Sequence, residues 1–266
     1  MNVLLIGAGN MGQTFGHGFI QTGTVSANEL YVLDRGIDKQ QRIDAFSRHP
    51  MYTEPGAFIR DMDLLILCVK PQDFSALANS IRPFLHKDQI CLSIMAGITV
   101  VRLQEELGIR KVVRAMPNLP SQISMGMTVF TISDEVSRVE SFTVQNLLST
   151  TGKVLFVEDE SLMDASTAIS GSGPAYVFYI MQTMIERAAE MGFKESEAKL
   201  LVMQTFMGSI HLLQQDDLSC QDWIAKVSSK GGTTEAALKE FGLQNLRPAL
   251  LAGLSAARKR ARELSK

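Results

Sequence analysis

The chain has 266 residues, 45% hydrophobic and 20% charged, enough apolar material for one large globular domain or two modest ones, which excludes a disordered or fibrous protein. Its 26 basic and 28 acidic side chains leave a formal charge of −2, so there is no overall positive field to hold a nucleic-acid backbone. The richest apolar stretch, Pro174–Ile185, is interrupted by Gln182 and Thr183, and no basic segment precedes Val3-Leu4-Leu5-Ile6, so neither a membrane span nor a signal peptide is expected.

The first half alternates short β-branched or Leu-rich runs with amphipathic stretches, the pattern of strand-helix-strand units around a parallel sheet. Strands are predicted at Val3–Ile6, Leu30–Leu33, Leu64–Val69, Gln89–Ile94, Lys111–Ala115, Met125–Thr131 and Val154–Val157. Helices are predicted between them, near Met11–Gln21, Lys39–Phe46, Phe74–Phe84, Val100–Leu107 and Glu135–Ser149. Entirely apolar strands such as Leu64–Val69 imply a sheet covered on both faces.

From about Asp159 the alternation stops and the apolar spacing becomes helical through Ser161–Ile169, Ala175–Met191, Glu195–Leu213, Asp222–Val227, Thr234–Phe241 and Leu246–Arg262. Gly192 and Gly242 stand where helices should stop. The expected fold is therefore α/β: a Rossmann-type parallel-sheet domain over residues 1–158, followed by an all-α domain over 159–266. The helix opening at Ala175 is apolar nearly all round, so it is either wrapped by its own domain or covered by another subunit.

Three cysteines make an odd count, and Cys68 and Cys91 lie in apolar runs, which points to free thiols in a reducing cytoplasm. The four histidines show no metal-ligand spacing, and no metal is expected.

Gly7-Ala8-Gly9-Asn10-Met11-Gly12 is a G-x-G-x-x-G element placed directly after a strand and at the opening of a helix. In that context Gly7 permits the tight turn, Gly9 lets the backbone approach a pyrophosphate, and Gly12 lets helix and strand pack, while the N–H groups around Asn10 and Met11 face the anion. At the end of the second strand, Asp34 favours the ribose hydroxyls of NAD and Arg35 favours the 2′-phosphate of NADP, so either coenzyme, NADPH or NADH, is compatible. Val69-Lys70-Pro71-Gln72 and Ala96-Gly97 follow the third and fourth strands, and Met116-Pro117-Asn118-Leu119-Pro120 follows the fifth, at the sheet edge where open α/β folds bind ligands. In the helical half, Ser170-Gly171-Ser172-Gly173-Pro174 breaks the periodicity as a kinked junction. Gly231-Gly232-Thr233-Thr234 resembles an anion cradle at a helix N-terminus, suited to a carboxylate. The two halves together describe hydride transfer to a small carboxylate substrate.

The segments Gly7–Gly12, Val69–Gln72, Val113-Arg114-Ala115-Met116-Pro117-Asn118, Ser170–Tyr176 and Gly231–Thr234, in this order, resemble the pyrroline-5-carboxylate reductase family across nearly the whole chain. The resemblance implies a Rossmann domain and a helical domain that interlocks with a second subunit, forming a homodimer or a larger oligomer. It implies reduction of the C=N bond of 1-pyrroline-5-carboxylate by NAD(P)H to give L-proline, with the carboxylate on the Gly232, Thr233 and Thr234 backbone and the Thr234 hydroxyl on the ring nitrogen. By the same resemblance Val69, Lys70, Pro71, Met95 and Ala96 border the nicotinamide half of the coenzyme, and Glu160 lies near the substrate entrance. The chain departs from the family pattern at Lys230, Leu119 and Pro55, where proline, threonine and asparagine are usual. A related imine or hydroxyacid oxidoreductase, or a nucleotide-binding paralogue without turnover, are the alternative readings. The basic run Arg258–Arg262 closes a helix, where cations complement its dipole.

Overall fold

The computed structural model describes residues 1–36, 47–49 and 51–264; the helix expected over Lys39–Phe46 lies outside them. All seven predicted strands form one sheet: β1 (Val3–Ile6), β2 (Leu30–Leu33), β3 (Leu64–Leu67), β4 (Ile90–Ser93), β5 (Lys111–Met116), β6 (Gly126–Ile132) and β7 (Gly152–Phe156), in the spatial order β2-β1-β3-β4-β5-β6-β7. Strands β1 to β5 are parallel, with Leu5 level with Val32 on one side and Ile66 on the other. The chain steps from β1 outward to β2 and then returns to place β3 on the opposite flank of β1, so the strand order reverses there and a crevice opens at the carboxyl ends.

Strand β6 departs from the expected all-parallel arrangement and runs antiparallel to β5, with Arg114 opposite Thr131. The connection holds Pro117, Pro120 and a single 3-10 turn over Leu119–Ile123, too short for the crossover that a parallel neighbour requires.

Period-two alternation along the strands feeds two cores. Val3 and Leu5 pack with Phe15 and Phe19 on one face, and Leu4 and Ile6 join the cluster of Phe74 and Ile81 on the other. The first cluster is covered by α1 (Asn10–Thr22), the second by α2 (Phe74–Ile81) and α3 (Val100–Leu107). Helix α2 is shorter than predicted because Pro83 falls in a closing 3-10 turn, Arg82–Phe84. Helix α4 (Arg138–Ser149) opens with a capping box in which Ser137 and Glu140 satisfy one another's backbone N–H groups. The predicted helix over Ser161–Ile169 is instead α5 (Leu162–Ser166) followed by a π turn, Thr167–Gly171.

The remaining helices are α6 (Gly173–Glu190), α7 (Glu195–Gln215), α8 (Cys220–Val227), α9 (Thr233–Leu243) and α10 (Leu246–Leu264). Gly242 lies inside α9 and does not end it; the left-handed residue after the helix is Asn245, φ +54°, whose short polar side chain tolerates that conformation. The chain divides into two compact units, Met1–Ser172 completed by the segment from Ala257 onward, and Gly173–Ala256. Within the first unit, the last turn of α10 lies against the left-handed Gly97, φ +77°, where a Cβ would come 2.6 Å from the Leu264 carbonyl oxygen.

The second unit buries little of its own. No residue of α6 is buried, and α7 buries Ala198 and Val202. Phe178 and Tyr179 are 56% and 76% exposed, so the apolar α6 is not wrapped by its own unit. No helix among the described residues is long and apolar enough to cross a membrane.

Candidate active site

The glycine loop after β1 is built by steric exclusion. At Gly7, φ +101°, a Cβ would sit 2.9 Å from the Cys68 carbonyl, and at Gly12 it would sit 2.0 Å from the Gly7 carbonyl oxygen. Gly9 differs, since nothing of the chain lies within 4 Å of its Cβ position. Gly9 caps α1 without a side chain, and the first turn of that helix, Asn10-Met11-Gly12, carries no acid. A bare backbone corner, open space in front of it and the positive end of a helix dipole fit the pyrophosphate of a dinucleotide.

A groove of about 600 Å³ runs from this loop, and Gly7, Gly9, Asp34, Arg35, Val69 and Lys70 are among its lining residues. Asp34 closes β2 with both carboxylate oxygens engaged: Oδ2 accepts from the Ala8 N–H at 2.6 Å and Oδ1 from the Gly36 N–H at 2.7 Å. The Arg35 side chain is 85% exposed and stands 3.9 Å from the Asp73 carboxylate. At the end of β3, Lys70 caps a 3-10 turn, Pro71–Asp73, that starts with proline at its first position. Half-buried Cys68 also lines the groove, and burial pushes its thiol up to about 12, so it is a neutral packing group at physiological pH.

After β4, Met95 is 2% exposed, its side chain packed in the second core; half-buried Ala96 follows, before the Gly97 turn. Glu160 lies in a charged cluster. Its Oε1 accepts from the Arg114 guanidinium at 2.7 Å and from the Val100 N–H at 2.9 Å, at the start of α3, and Arg114 also reaches Asp164 at 3.4 Å. Arg114 itself is 4% exposed. The sequence signal is a charge in the middle of a strand, between Val113 and Ala115, which demands a partner.

Asn118, at the loop after β5, makes a connection that sequence reading did not specify. Its Oδ1 accepts from the Met127 N–H at 2.9 Å and its Nδ2 donates to the Ser170 carbonyl at 3.1 Å. Ser170 sits in the π turn four residues before Pro174, which has no N–H to offer it, so the asparagine supplies the missing donor. Thr53, Glu54 and Ser80 also line the groove, and no motif marked them.

In the second unit, Gly231, φ +73°, and Gly232 form the corner ahead of α9. A Cβ on Gly232 would meet the Ser229 hydroxyl at 2.6 Å. The Gly231 N–H donates to the Glu235 carboxylate at 2.6 Å and the Gly232 N–H to the Ser229 carbonyl at 2.9 Å, so both are used within the corner. The N–H groups of Thr233 and Thr234 and the half-buried Thr234 hydroxyl have no acceptor or partner among the described residues. Lys230 is exposed beside this corner, and Leu119 is exposed on the first unit.

Two family models match the chain: pyrroline-5-carboxylate reductase dimerisation over residues 160–264, and NADP oxidoreductase, coenzyme F420-dependent, over residues 2–97. Pyrroline-5-carboxylate reductase 2 of Bacillus subtilis is 33% identical over 263 residues, covering 97% of this chain and 93% of that protein. The structure of a pyrroline-5-carboxylate reductase from Coxiella burnetii superposes with a TM-score of 0.88 at 31% identity, covering 100% of this chain and 98% of that one. A Plasmodium falciparum pyrroline carboxylate reductase with NADP bound shares the fold, with a TM-score of 0.89 at 24% identity, over 100% of this chain and 98% of that one. The glycine loop at the strand-order reversal, the helical segment matched from residue 160 onward and one-third identity along nearly the entire length lead to one assignment: this chain belongs to the pyrroline-5-carboxylate reductase family.

Proposed function

We propose that Thr234 is the residue with which this chain, an NAD(P)H-dependent oxidoreductase, orients 1-pyrroline-5-carboxylate for reduction to L-proline. When bound, the reduced nicotinamide supplies the hydride that reaches the C=N carbon. The chain's own residues bind and orient. The amides of Thr233 and Thr234, at the positive end of α9, hold the substrate carboxylate, and the Thr234 hydroxyl hydrogen-bonds the ring nitrogen and fixes the face presented. Gly232 contributes the bare corner, because its own N–H is committed to Ser229. In the first unit Gly7, Gly9, Asn10, Met11 and Gly12 cradle the pyrophosphate, Asp34 and Arg35 flank the adenosine ribose, and Val69, Lys70, Pro71, Met95 and Ala96 border the nicotinamide. Glu160 serves this edge from behind, by anchoring Arg114 and the start of α3.

The observation that carries the reading is the Gly231–Thr234 corner, with two N–H groups spent on its shape and two left to receive an anion. The same reading assigns coenzyme binding to residues 1–158 and the substrate loop and self-association to 159–266. Free thiols at Cys68, Cys91 and Cys220 support a reducing, cytoplasmic setting.

The test is loss of reduced-nicotinamide absorbance with 1-pyrroline-5-carboxylate. Thr234→Ala should lower kcat by roughly tenfold to a hundredfold with coenzyme affinity unchanged. Equal rates in variant and parent would remove Thr234 from the site.

A further inference from the structure

The corner ahead of α9 contains two adjacent glycines, the residues with the most backbone freedom to lose, so its shape has to be held from outside their own side chains. Packing does not hold it. Nothing of the chain lies within 4 Å of a Cβ built on Gly231, and Gly231 and the preceding Lys230 are both exposed. Gly232, at the N-cap position, has no side chain with which to accept from the first amides of the helix. Two hydrogen bonds from the glycines' own N–H groups do the holding: Gly232 donates to the Ser229 carbonyl at 2.9 Å, and Gly231 donates to the Glu235 carboxylate at 2.6 Å.

The second bond departs from the usual pattern. A glutamate at the third position of a helix ordinarily reaches back to the N–H of the N-cap residue. Here that N–H goes to Ser229, and Glu235, third in α9, reaches one residue further, to Gly231. The carboxylate thereby ties the two ends of the Gly231–Glu235 segment together, fixes Gly231 in its left-handed conformation, φ +73°, and encloses Thr233 and Thr234 between its two anchor points.

We infer that Glu235 is a positioning residue for the reduction: it holds the corner in its binding shape before substrate arrives, so that the amides of Thr233 and Thr234 meet the carboxylate without a loop-ordering cost. The inference rests on the substrate loop proposed above. A loop that the substrate itself must order loses affinity but recovers its geometry once occupied, so removal of Glu235 falls on KM and spares kcat. The hydrogen bond carries the effect. The negative charge does not help an incoming anion, and an uncharged acceptor of the same length serves as well.

Steady-state kinetics of the full chain with 1-pyrroline-5-carboxylate and saturating reduced nicotinamide test it. Glu235→Ala should raise the substrate KM about tenfold with kcat within about threefold of the parent, and Glu235→Asp, one methylene shorter, should behave likewise. Glu235→Gln, which keeps an acceptor oxygen at the same reach, should bring KM back to within about twofold. Without substrate, amide hydrogen exchange over residues 229–234 should quicken in Glu235→Ala and Glu235→Asp and return to the parent's rate in Glu235→Gln. An unchanged KM in Glu235→Ala, a Glu235→Gln as impaired as Glu235→Ala, or unaltered exchange would each overturn the inference; should Glu235→Ala fail to fold, the aspartate and glutamine variants carry the same contrast. Thr234→Ala in the same assay keeps the two readings apart. A lowered kcat there beside an unchanged KM in Glu235→Ala removes Glu235 alone. If Thr234→Ala matches the parent, or the parent does not turn over, the assigned loop or reaction fails, and the exchange contrast decides whether Glu235 orders the corner.

Discussion

Gly9 and Gly12 stand three residues apart and answer opposite demands. A methyl group on Gly9 projects into open space, whereas one on Gly12 collides with the Gly7 carbonyl at 2.0 Å, a backbone atom that cannot rotate aside. Gly9→Ala should therefore unfold at nearly the parent temperature but bind coenzyme about tenfold more weakly, and Gly12→Ala should lose roughly 1–3 kcal/mol of stability, read by denaturant unfolding. Similar melting curves for the two variants would contradict this division of labour. The thiols give a second residue-level test. Burial raises both Cys68 and Cys91, so the reactive thiolate is scarce at pH 8, and the native protein should yield at most one equivalent to a disulfide-exchange reagent, against three after denaturation. At this scale the sequence was legible where the backbone dictates the residue, as at Gly7 and Gly12. It was silent where a long side chain chooses its partner, because nothing local to Glu160 announces Arg114, 46 positions away.

Strand β5 illustrates how an element acquires a charge in its middle. Arg114 lies between the buried Val113 and Ala115, and the carboxylates of Glu160 and Asp164 make that burial tolerable. Arg114→Ala removes the buried cation that Glu160 and Asp164 share and should cost about 3 kcal/mol, whereas an apolar replacement combined with Glu160→Gln and Asp164→Asn should recover much of the loss. Equal stability of Arg114→Ala and parent in urea would show the cluster to be idle. Strand positions were readable because short, continuous apolar runs alternating with amphipathic stretches have few other uses. The antiparallel turn of β6 was not, since strand direction is set by the length and stiffness of a connection and leaves no mark on the strand itself. The π turn was equally hidden: the break at Ser170–Pro174 showed in the sequence, but the donor that stabilises it, Asn118, comes from 52 residues upstream.

The whole molecule carries two kinds of surface. The first unit is closed around its sheet, while in the second even large apolar side chains on α6 stand open, Phe178 among them. With a dimerisation family matched over residues 160–264, we assign that apolar surface to self-association. Phe178→Glu should shift sedimentation toward a smaller species and weaken the dependence of the melting temperature on protein concentration that the self-associated parent shows. An unchanged sedimentation coefficient would mean that α6 is not the seam.

The seating of the last turn of α10 against Gly97 has a consequence for how the chain is made. The first unit takes its final piece from beyond Ala257, after the entire second unit has been synthesised. On the ribosome, the sheet can assemble as soon as β7 emerges, but the edge after β4 stays without its covering turn for the time needed to translate roughly a hundred further residues, several seconds at the usual rate. Nascent chains arrested before Ala257 should therefore be cleaved by protease near the Gly97 turn, and chains released after Leu264 should resist.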